Sequence, residues 1–228
     1  MRFLLNSFIL FSFCNVFSQK TPDFEAVDSL YREDQFYLGI TYNTLQKLPS
    51  GISQNKFTPS FSIGVLRDMP INKNRTKAIA VGLGYSWNNY NQNILISETS
   101  GITQYNSISS AISFNKNKLT LHSIDIPIEF RWRTSTPESH KFWRIYTGLK
   151  FSYLFYTLSK FEDSQTSIEV VGNTDINKFQ YGTYLSIGYN TVNFYVYYGL
   201  NPIFKSAVLN GNSLDVNTLN FGFMFYIL

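Results

Sequence analysis

The sequence predicts an all-β protein, an eight-stranded antiparallel up-and-down transmembrane β-barrel that occupies residues 35–228. Apolar and polar residues alternate with a period of two along eight segments, which is typical of strands with one apolar face. The connections between these segments are alternately short and long. Aromatic residues make up 18% of the chain and charged residues only 15%, against roughly 25% charged in soluble domains. We therefore expect a surface that is covered largely by something other than water.

Residues 1–18 have the features of a secretory signal peptide. Arg2 supplies a positive charge, an apolar run extends to Phe17, and Ser18 precedes the expected cleavage site. Cys14, the only cysteine, lies in this leader. A lipoprotein signal is the alternative reading of Cys14, although bulky Phe13 stands where that signal has a small residue. The net charge of +4 is too small and too dispersed to predict nucleic-acid binding.

Residues 19–34 are predicted to form a periplasmic N-terminal segment. Phe24, Val27 and Leu30 have a helical spacing, and Pro22 suits the first position of a helix. A short amphipathic helix and a disordered tail both remain open. After the leader, no run approaches the roughly 18 apolar residues that a membrane helix needs. A membrane location would therefore require a barrel.

The eight alternating segments begin after this N-terminal part. The fourth is the clearest, because every second residue from Ile124 to Trp132 is apolar and the intervening residues are mostly charged. A polar turn around residues 135–139 connects it to the fifth, so that the two predict a long antiparallel hairpin. The predicted strands cover residues 36–43, 60–66, 78–87, 124–133, 143–155, 179–189, 194–201 and 219–227.

The connections after strands two, four and six are short, at residues 68–75, 134–140 and 190–191. The longest connection, residues 88–118, contains strand-like spacings of Ile94 with Ile96 and of Ile108 with Ile112. Short turns at one end and long loops at the other are typical of outer-membrane barrels. This arrangement predicts extracellular long loops and periplasmic termini.

The apolar face could also point inward, as in a soluble lipocalin-like barrel. An eight-stranded barrel, however, has an interior just wide enough for side chains to fill, and more than thirty large residues share the apolar parity. The opposite parity carries the strand glycines, which suit a crowded lumen. These are Gly39, Gly64, Gly82, Gly84, Gly148, Gly182, Gly188, Gly199 and Gly222. We therefore expect the apolar face to contact lipid.

Aromatic residues on the outward parity mark two levels of the predicted barrel. Trp132 and Trp143 flank the turn between strands four and five, and Tyr85 and Trp87 lie at the other end of strand three. Two such levels are expected where a membrane barrel crosses the two interfaces of the bilayer. Ordinary core packing is the alternative for any single tryptophan. Taken together, the four residues predict an aromatic girdle.

The inward parity of the predicted hairpin carries a charge network. Its members are Asp125, Glu129, Arg131, Arg133, Arg144 and Lys150. With a turn centred near Pro137, Glu129 would lie opposite or diagonal to Arg144, and Asp125 to Lys150. We expect these groups to plug the lumen as a structural ion-pair network, with transport or binding as the alternative. Pro127 cannot donate a ladder hydrogen bond, which predicts a bulge or kink in strand four.

The sequence does not predict an enzyme. The two histidines, His122 and His140, have no serine or carboxylate neighbour with catalytic spacing. There is no metal-ligand cluster and no phosphate-binding loop. We accordingly predict no catalytic residues, no metal site and no cofactor.

Four stretches resemble the PorT-like family of outer-membrane β-barrel proteins, which occurs in bacteria with type IX secretion and often gliding motility. They are residues 33–39 (EDQFYLG), 66–72 (LRDMPIN), 126–133 (IPIEFRWR) and 193–198 (NFYVYY). The resemblance extends over the mature chain and implies an outer-membrane barrel linked to type IX secretion. It supplies no catalytic or ligand-binding residues. The chain ends in Ile227 and Leu228, which departs from the terminal phenylalanine that is usual in outer-membrane barrels.

The expected function is that of a structural or interaction component of the bacterial outer membrane. Its expected partners are outer-membrane lipid and secretion-machinery or other envelope proteins. One alternative is a surface module that binds a protein or polysaccharide through loops 88–118 and 161–178. More distant alternatives are a lipid-modifying enzyme and a soluble lipocalin-like binder.

Overall fold

The computed structural model describes residues 31–54, 56–109, 112–136 and 141–227. The predicted signal peptide lies outside the described residues, as do most of the segment 19–34 and His140. Residues 31–34 have no regular secondary structure. The described residues form strands and no helix. Within them, no helix has the length and apolar character that would be needed to cross a bilayer.

Eight strands form the barrel, and five short strands accompany them. The barrel strands are β1 (Gln35–Gln46), β2 (Pro59–Pro70), β3 (Lys77–Asn91), β6 (Lys116–Arg133), β7 (Trp143–Glu162), β9 (Phe179–Tyr189), β10 (Val192–Gly199) and β13 (Asn217–Ile227). The others are β4 (Ile94–Thr99), β5 (Ile102–Ser107), β8 (Ser167–Val171), β11 (Val208–Leu209) and β12 (Asn212–Ser213).

The barrel is closed and antiparallel. Each barrel strand pairs with the barrel strand before it and the one after it along the chain, and β1 pairs with β13. Closure leaves no unpaired edge. The predicted up-and-down barrel of eight strands is therefore confirmed.

The two ends of the barrel differ in their connections. Residues 71–76, 134–142 and 190–191 connect strands at one end, which we call the turn end. Residues 47–58, 92–115, 163–178 and 200–216 connect them at the other, the loop end. Gln35 and Ile227, the outer limits of β1 and β13, both lie at the turn end.

The apolar face points outward. On β6, Ile124, Ile126, Ile128, Phe130 and Trp132 expose 39–47% of their surface, whereas the intervening charged residues expose 2% or less. The lipocalin-like alternative, with its apolar face inside, is therefore wrong. The interior of an eight-stranded barrel is too narrow to hold the large apolar side chains, which therefore point outward.

The predicted irregularity at Pro127 takes a different form. The β3–β6 pairing is interrupted opposite Pro127 but resumes in the same register, so that Val81 faces Ile128 and Gly84 faces Asp125. The register shift of β6 lies instead at His122, where β7 carries an extra residue between Leu154 and Tyr156. A bulge of this kind moves the outward parity of β7 by one residue.

Candidate functional site: a filled lumen with two closed ends

Four buried charged residues form the densest part of the lumen, near the turn end. The Asp68 carboxylate on β2 accepts hydrogen bonds from both terminal nitrogens of Arg133 at 2.8 Å and from Arg131 Nη1 at 2.9 Å. Arg131 Nε donates to Glu129 Oε2 at 2.8 Å. All four side chains are 98% or more buried. Buried charges at this depth need such pairing, because an unpaired one would carry its full desolvation cost.

Arg144 lies beside this cluster but does not pair with Glu129 as the sequence predicted. Arg133 faces Arg144 across the hairpin, so that Glu129 faces Gly148, four residues further along β7. The register of the described strands differs by three residues from the expected one, and this difference removes the expected contact. The Arg144 guanidinium instead lies over the Phe142 ring, with its Cζ 4.4 Å from the ring centre. Arg144 Nε and Nη1 have no hydrogen-bond partner among the described residues.

The second expected pair lies nearer the middle of the lumen. Lys150 Nζ is 3.8 Å from Asp125 Oδ2, because Asp125 faces Ser152 and is therefore diagonal to Lys150. Ser86 and Ser123 both donate hydrogen bonds to the same carboxylate. Lys150 also lies 4.3 Å from the centre of the Tyr197 ring. The lysine is thus held between a carboxylate and an aromatic face.

Tyrosines fill the lumen between the charged groups. Tyr226 donates a hydrogen bond to Glu129 Oε1 at 3.3 Å, and its ring packs edge-on against Tyr146 at 5.3 Å. The buried tyrosines of the lumen are Tyr37, Tyr146, Tyr184, Tyr195, Tyr197 and Tyr226. The cavity among them measures about 20 Å³, which holds about one water molecule. The described lumen is therefore packed and is not an open channel.

Residues just before β1 close the turn end. The Glu33 amide donates to Asp68 Oδ2 at 3.3 Å, and the Glu33 carbonyl accepts from Arg131 Nη1 at 3.1 Å. The Tyr31 hydroxyl is 2.8 Å from Ser135 Oγ in the turn between β6 and β7. The Glu33 side chain is fully buried near Arg133 and Arg144. Residues 31–34 therefore act as a stopper that is held by the lumenal arginines.

An apolar cluster closes the loop end. It combines the ends of barrel strands with residues of the four loops, and we call it the cap. Its buried members are Leu45, Ile52, Tyr90, Ile94, Ile96, Tyr105, Leu119, Leu121, Leu154, Ile176, Ile203, Phe204, Ala207, Leu209, Leu214 and Val216. Burial of this much apolar surface stabilises the loops as a folded unit.

Hydrogen bonds connect the loops within the cap. The Tyr105 hydroxyl donates to Asp175 Oδ2 at 3.1 Å and accepts from Asn173 Nδ2 at 2.8 Å. Ser206 Oγ donates to Asp175 Oδ1 at 2.7 Å, so three loops meet at one carboxylate. Burial raises the pKa of the Tyr105 phenol, which keeps the hydroxyl protonated as a donor.

Comparison with known proteins identifies the family of this barrel. A family model described as outer membrane protein beta-barrel domain matches residues 17–205. The chain belongs to this family. No curated protein matches it. Membership in the outer membrane protein beta-barrel family places the chain in the bacterial outer membrane.

For a member of the outer membrane protein beta-barrel family, the outward face is the lipid face. The four residues of the predicted girdle all lie on it. Trp143 is 58% exposed near the turn end and packs against Tyr189 at 5.5 Å, and Trp132 is on the adjacent strand. Toward the loop end, Trp87 stacks on Phe61 at 5.5 Å, and Tyr85 is on the same strand. The girdle stays a prediction, because two such aromatic levels are expected where a membrane barrel crosses the bilayer interfaces.

The sequence reasoning missed three parts of the site. Asp68 was assigned to a turn, although it continues the inward parity of Ser60, Ser62, Gly64 and Leu66. The stopper lies in residues that were predicted to be a periplasmic tail or helix. The cap was not predicted. Of the strand-like spacings in residues 88–118, Ile94 and Ile96 lie in β4, whereas Ile108 and Ile112 lie outside strands. Among the described residues, no group of three His, Cys, Asp or Glu could hold a metal ion.

Proposed function

We propose that this outer-membrane barrel is a non-conducting structural or interaction component whose folded cap is its contact surface. The observation that carries the proposal is the triple closure of the barrel by stopper, lumenal network and cap. A barrel that is filled along its length offers no path for a solute, whereas its ordered loops offer a defined surface to a partner. Because the loops are already folded, less conformational entropy is lost when a partner binds.

The absence of conductance can be tested directly. Purified protein in planar lipid bilayers should give no steady ion current at moderate voltage. A variant in which Arg131, Arg133 and Asp68 are all replaced by alanine would remove the densest part of the plug and serves as the positive control, provided that it still shows the gel shift of a folded barrel. Stable conductance of the unmodified protein would overturn the closed-barrel proposal.

We further propose that the loop end faces the outside of the cell and the turn end faces the periplasm. The lengths of the connections support this orientation, since outer-membrane barrels carry their longer loops outside. The only cysteine is Cys14, so single cysteines can report orientation. A membrane-impermeant maleimide on whole cells should label Ser164→Cys in a loop and should leave Asn74→Cys in a turn unlabelled. The reverse pattern would invert the orientation.

The specific biological role that we propose is participation in type IX secretion or gliding. The support is the resemblance of the four stretches named above to the PorT-like family, which is an argument from analogy rather than from a site. Deletion of the gene should reduce the amount of type IX cargo proteins in the culture medium, and a chromosomal copy should restore it. Normal secretion in the deletion strain would contradict this role.

A second candidate function is recognition of a protein or polysaccharide by the cap. A polar groove beside Tyr105 and Asp175 favours it, since its lining also includes Gln104, Asn106 and Ser206. Normal secretion combined with lost surface binding in the deletion strain would favour this function over the first. An enzymatic role has no support from the described side chains, and unchanged lipid A mass spectra of the deletion strain would count against it.

A further inference from the structure

The outward face of β6 and β7 continues beyond the barrel rim, where β3 and β8 flank the two strands, and its character changes along its length. Between the turn end and His122 this face is apolar and aromatic. Beyond His122 it carries Lys118 and Lys116 on β6, and Lys160 and Glu162 on β7. Lipid-facing strands thus pass directly into a charged strip.

Two lysines face each other within this strip. Lys118 and Lys160 are direct partners in the β6–β7 ladder, so their side chains share one face. Like charges in this relation destabilise a sheet unless an anion lies between them. Lys160 has carboxylate partners, Glu169 at 2.6 Å and Glu162 at 3.9 Å. Lys118 makes no ion pair with another described residue.

The carboxylates around the strip do not balance its positive charge. Glu162 is shared between Lys160 and Lys116, which lies 3.6 Å away. Glu169 on β8 pairs with Lys160 alone. Three ammonium groups therefore face two carboxylates, and the excess positive charge lies at Lys118. The strip is suited to a further anionic group.

An aromatic platform lies below the strip on the same face. The Tyr85 hydroxyl is 2.6 Å from His122 Nδ1, and the Tyr156 ring packs edge-on against His122 at 5.2 Å. The β7 bulge turns both Phe155 and Tyr156 outward, where they are 53% and 38% exposed. Aromatic rings of this kind mark the level of the bilayer interface.

The distance of the strip from the aromatic platform corresponds to the height expected for lipid headgroups. Lys118 is four residues beyond His122 on β6, and Lys160 is four residues beyond Tyr156 on β7. With a strand rise of roughly 3.4 Å per residue and a tilt of roughly 40°, this separation is about 10 Å along the membrane normal. Lysine ammonium groups can also bend back toward the interface. A lipid phosphate is the anion that is available at this level.

We propose that Lys118 and Lys160 bind the phosphate of an outer-membrane lipid headgroup, whose acyl chains lie against Phe155 and Tyr156. The bound phosphate accepts hydrogen bonds from both ammonium groups and relieves the repulsion between them. The bulge at Phe155 has a role in this site, because it places two consecutive aromatic rings under the lysines. The inference is independent of which membrane side the loop end faces.

The test uses the purified full-length barrel in neutral detergent and a short-chain phosphatidic acid as the probe, with bound lipid counted by native mass spectrometry. The double variant Lys118→Gln/Lys160→Gln should bind the probe on the order of 30-fold more weakly, since each lysine near an anionic lipid contributes enough for about a fivefold effect. Lys118→Arg should retain binding. The control Lys205→Gln removes an exposed loop lysine outside the strip and should change nothing.

Two further probes distinguish the source of the phosphate. A phosphatidylcholine of the same chain length should be retained less than phosphatidic acid, and inorganic phosphate should not compete at equal concentration. Equal binding to the double variant and the unmodified barrel would overturn the proposal. Full competition by inorganic phosphate would also overturn it, because it would show a free-anion site in place of a lipid site. A gel shift on heating verifies that each variant is folded.

Discussion

Arg133 and Asp68 form a two-point ion pair across the lumenal side of β3, which lies between their strands. Both terminal nitrogens of Arg133 lie 2.8 Å from the two carboxylate oxygens of Asp68. Both side chains are fully buried. The pair therefore connects β2 with β6, two strands that share no backbone hydrogen bonds. It also anchors the stopper, because Asp68 accepts a hydrogen bond from the Glu33 amide.

Replacement of Asp68 should destabilise the barrel strongly. Asp68→Asn removes the charge that Arg131 and Arg133 share, and loss of one partner from a buried ion pair costs about 3–5 kcal/mol. We expect Asp68→Asn to unfold at a lower urea concentration than the unmodified barrel in detergent micelles. Tryptophan fluorescence measures the unfolding midpoint. Arg67→Gln is the matched control, because the Asp34–Arg67 pair is exposed and such pairs contribute less than about 1 kcal/mol. Similar midpoints for the two variants would contradict a structural role for the network.

Close packing of neighbouring strands makes Gly148 sensitive to added volume. A Cβ at Gly148 would overlap the backbone carbonyl oxygen of Ile128, which cannot move without distorting β6. Gly148→Ala should therefore lower the free energy of unfolding by about 1–3 kcal/mol. The control is Gly39→Ala, whose Cβ would have side-chain atoms of Ser62 and Met224 as its three nearest neighbours. If both variants unfold at the same urea concentration, contact with the Ile128 backbone is not the reason why position 148 needs glycine.

The barrel itself could be predicted from sequence, because the alternation of apolar and polar residues is visible within each strand. A period of two along one strand shows which residues share a face, and the glycines show which face is crowded. The position of Asp125 relative to Lys150 followed from the same rule, since a diagonal contact tolerates a small error in register. The predicted contact between Glu129 and Arg144 was lost through the same error in register. The sequence of the turn does not show where its centre lies, and the centre sets the register of the hairpin.

The cap and stopper could not be predicted in this way. Cap residues such as Ile52, Ile176 and Ile203 come from three different connections and have no shared period. They meet only because barrel closure brings the loops together at one end. The stopper depends on the same long-range geometry, since Glu33 reaches Asp68 and Arg131 only after β1, β2 and β6 have assembled.

The lipid-facing assignment predicts a depth-dependent cost for a charge on the outer surface. Leu149 points outward near the middle of the part of β7 that pairs with β9 and is 45% exposed, so Leu149→Lys should cost about 2–4 kcal/mol in a lipid bilayer. Val171→Lys is the control, because Val171 is 58% exposed on β8 beyond the barrel rim and the cost there should be about 0–1 kcal/mol. Reversible unfolding from phospholipid vesicles measures both. Equal costs would place the bilayer elsewhere on the barrel.

The hydroxyl of Tyr105 should hold the cap together without contributing to the barrel below it. Tyr105→Phe leaves the ring against Phe204 but removes the hydrogen bonds to Asp175 and Asn173, at a cost of about 1 kcal/mol for a typical bond. Limited proteolysis should cleave residues 163–178 faster in this variant, while the temperature of the gel shift stays unchanged because the strand ladder is intact. Tyr153→Phe, the same substitution at an outward-facing position that is 52% exposed, should leave both readouts at the unmodified values. Unchanged cleavage of Tyr105→Phe would mean that apolar burial alone orders the loops.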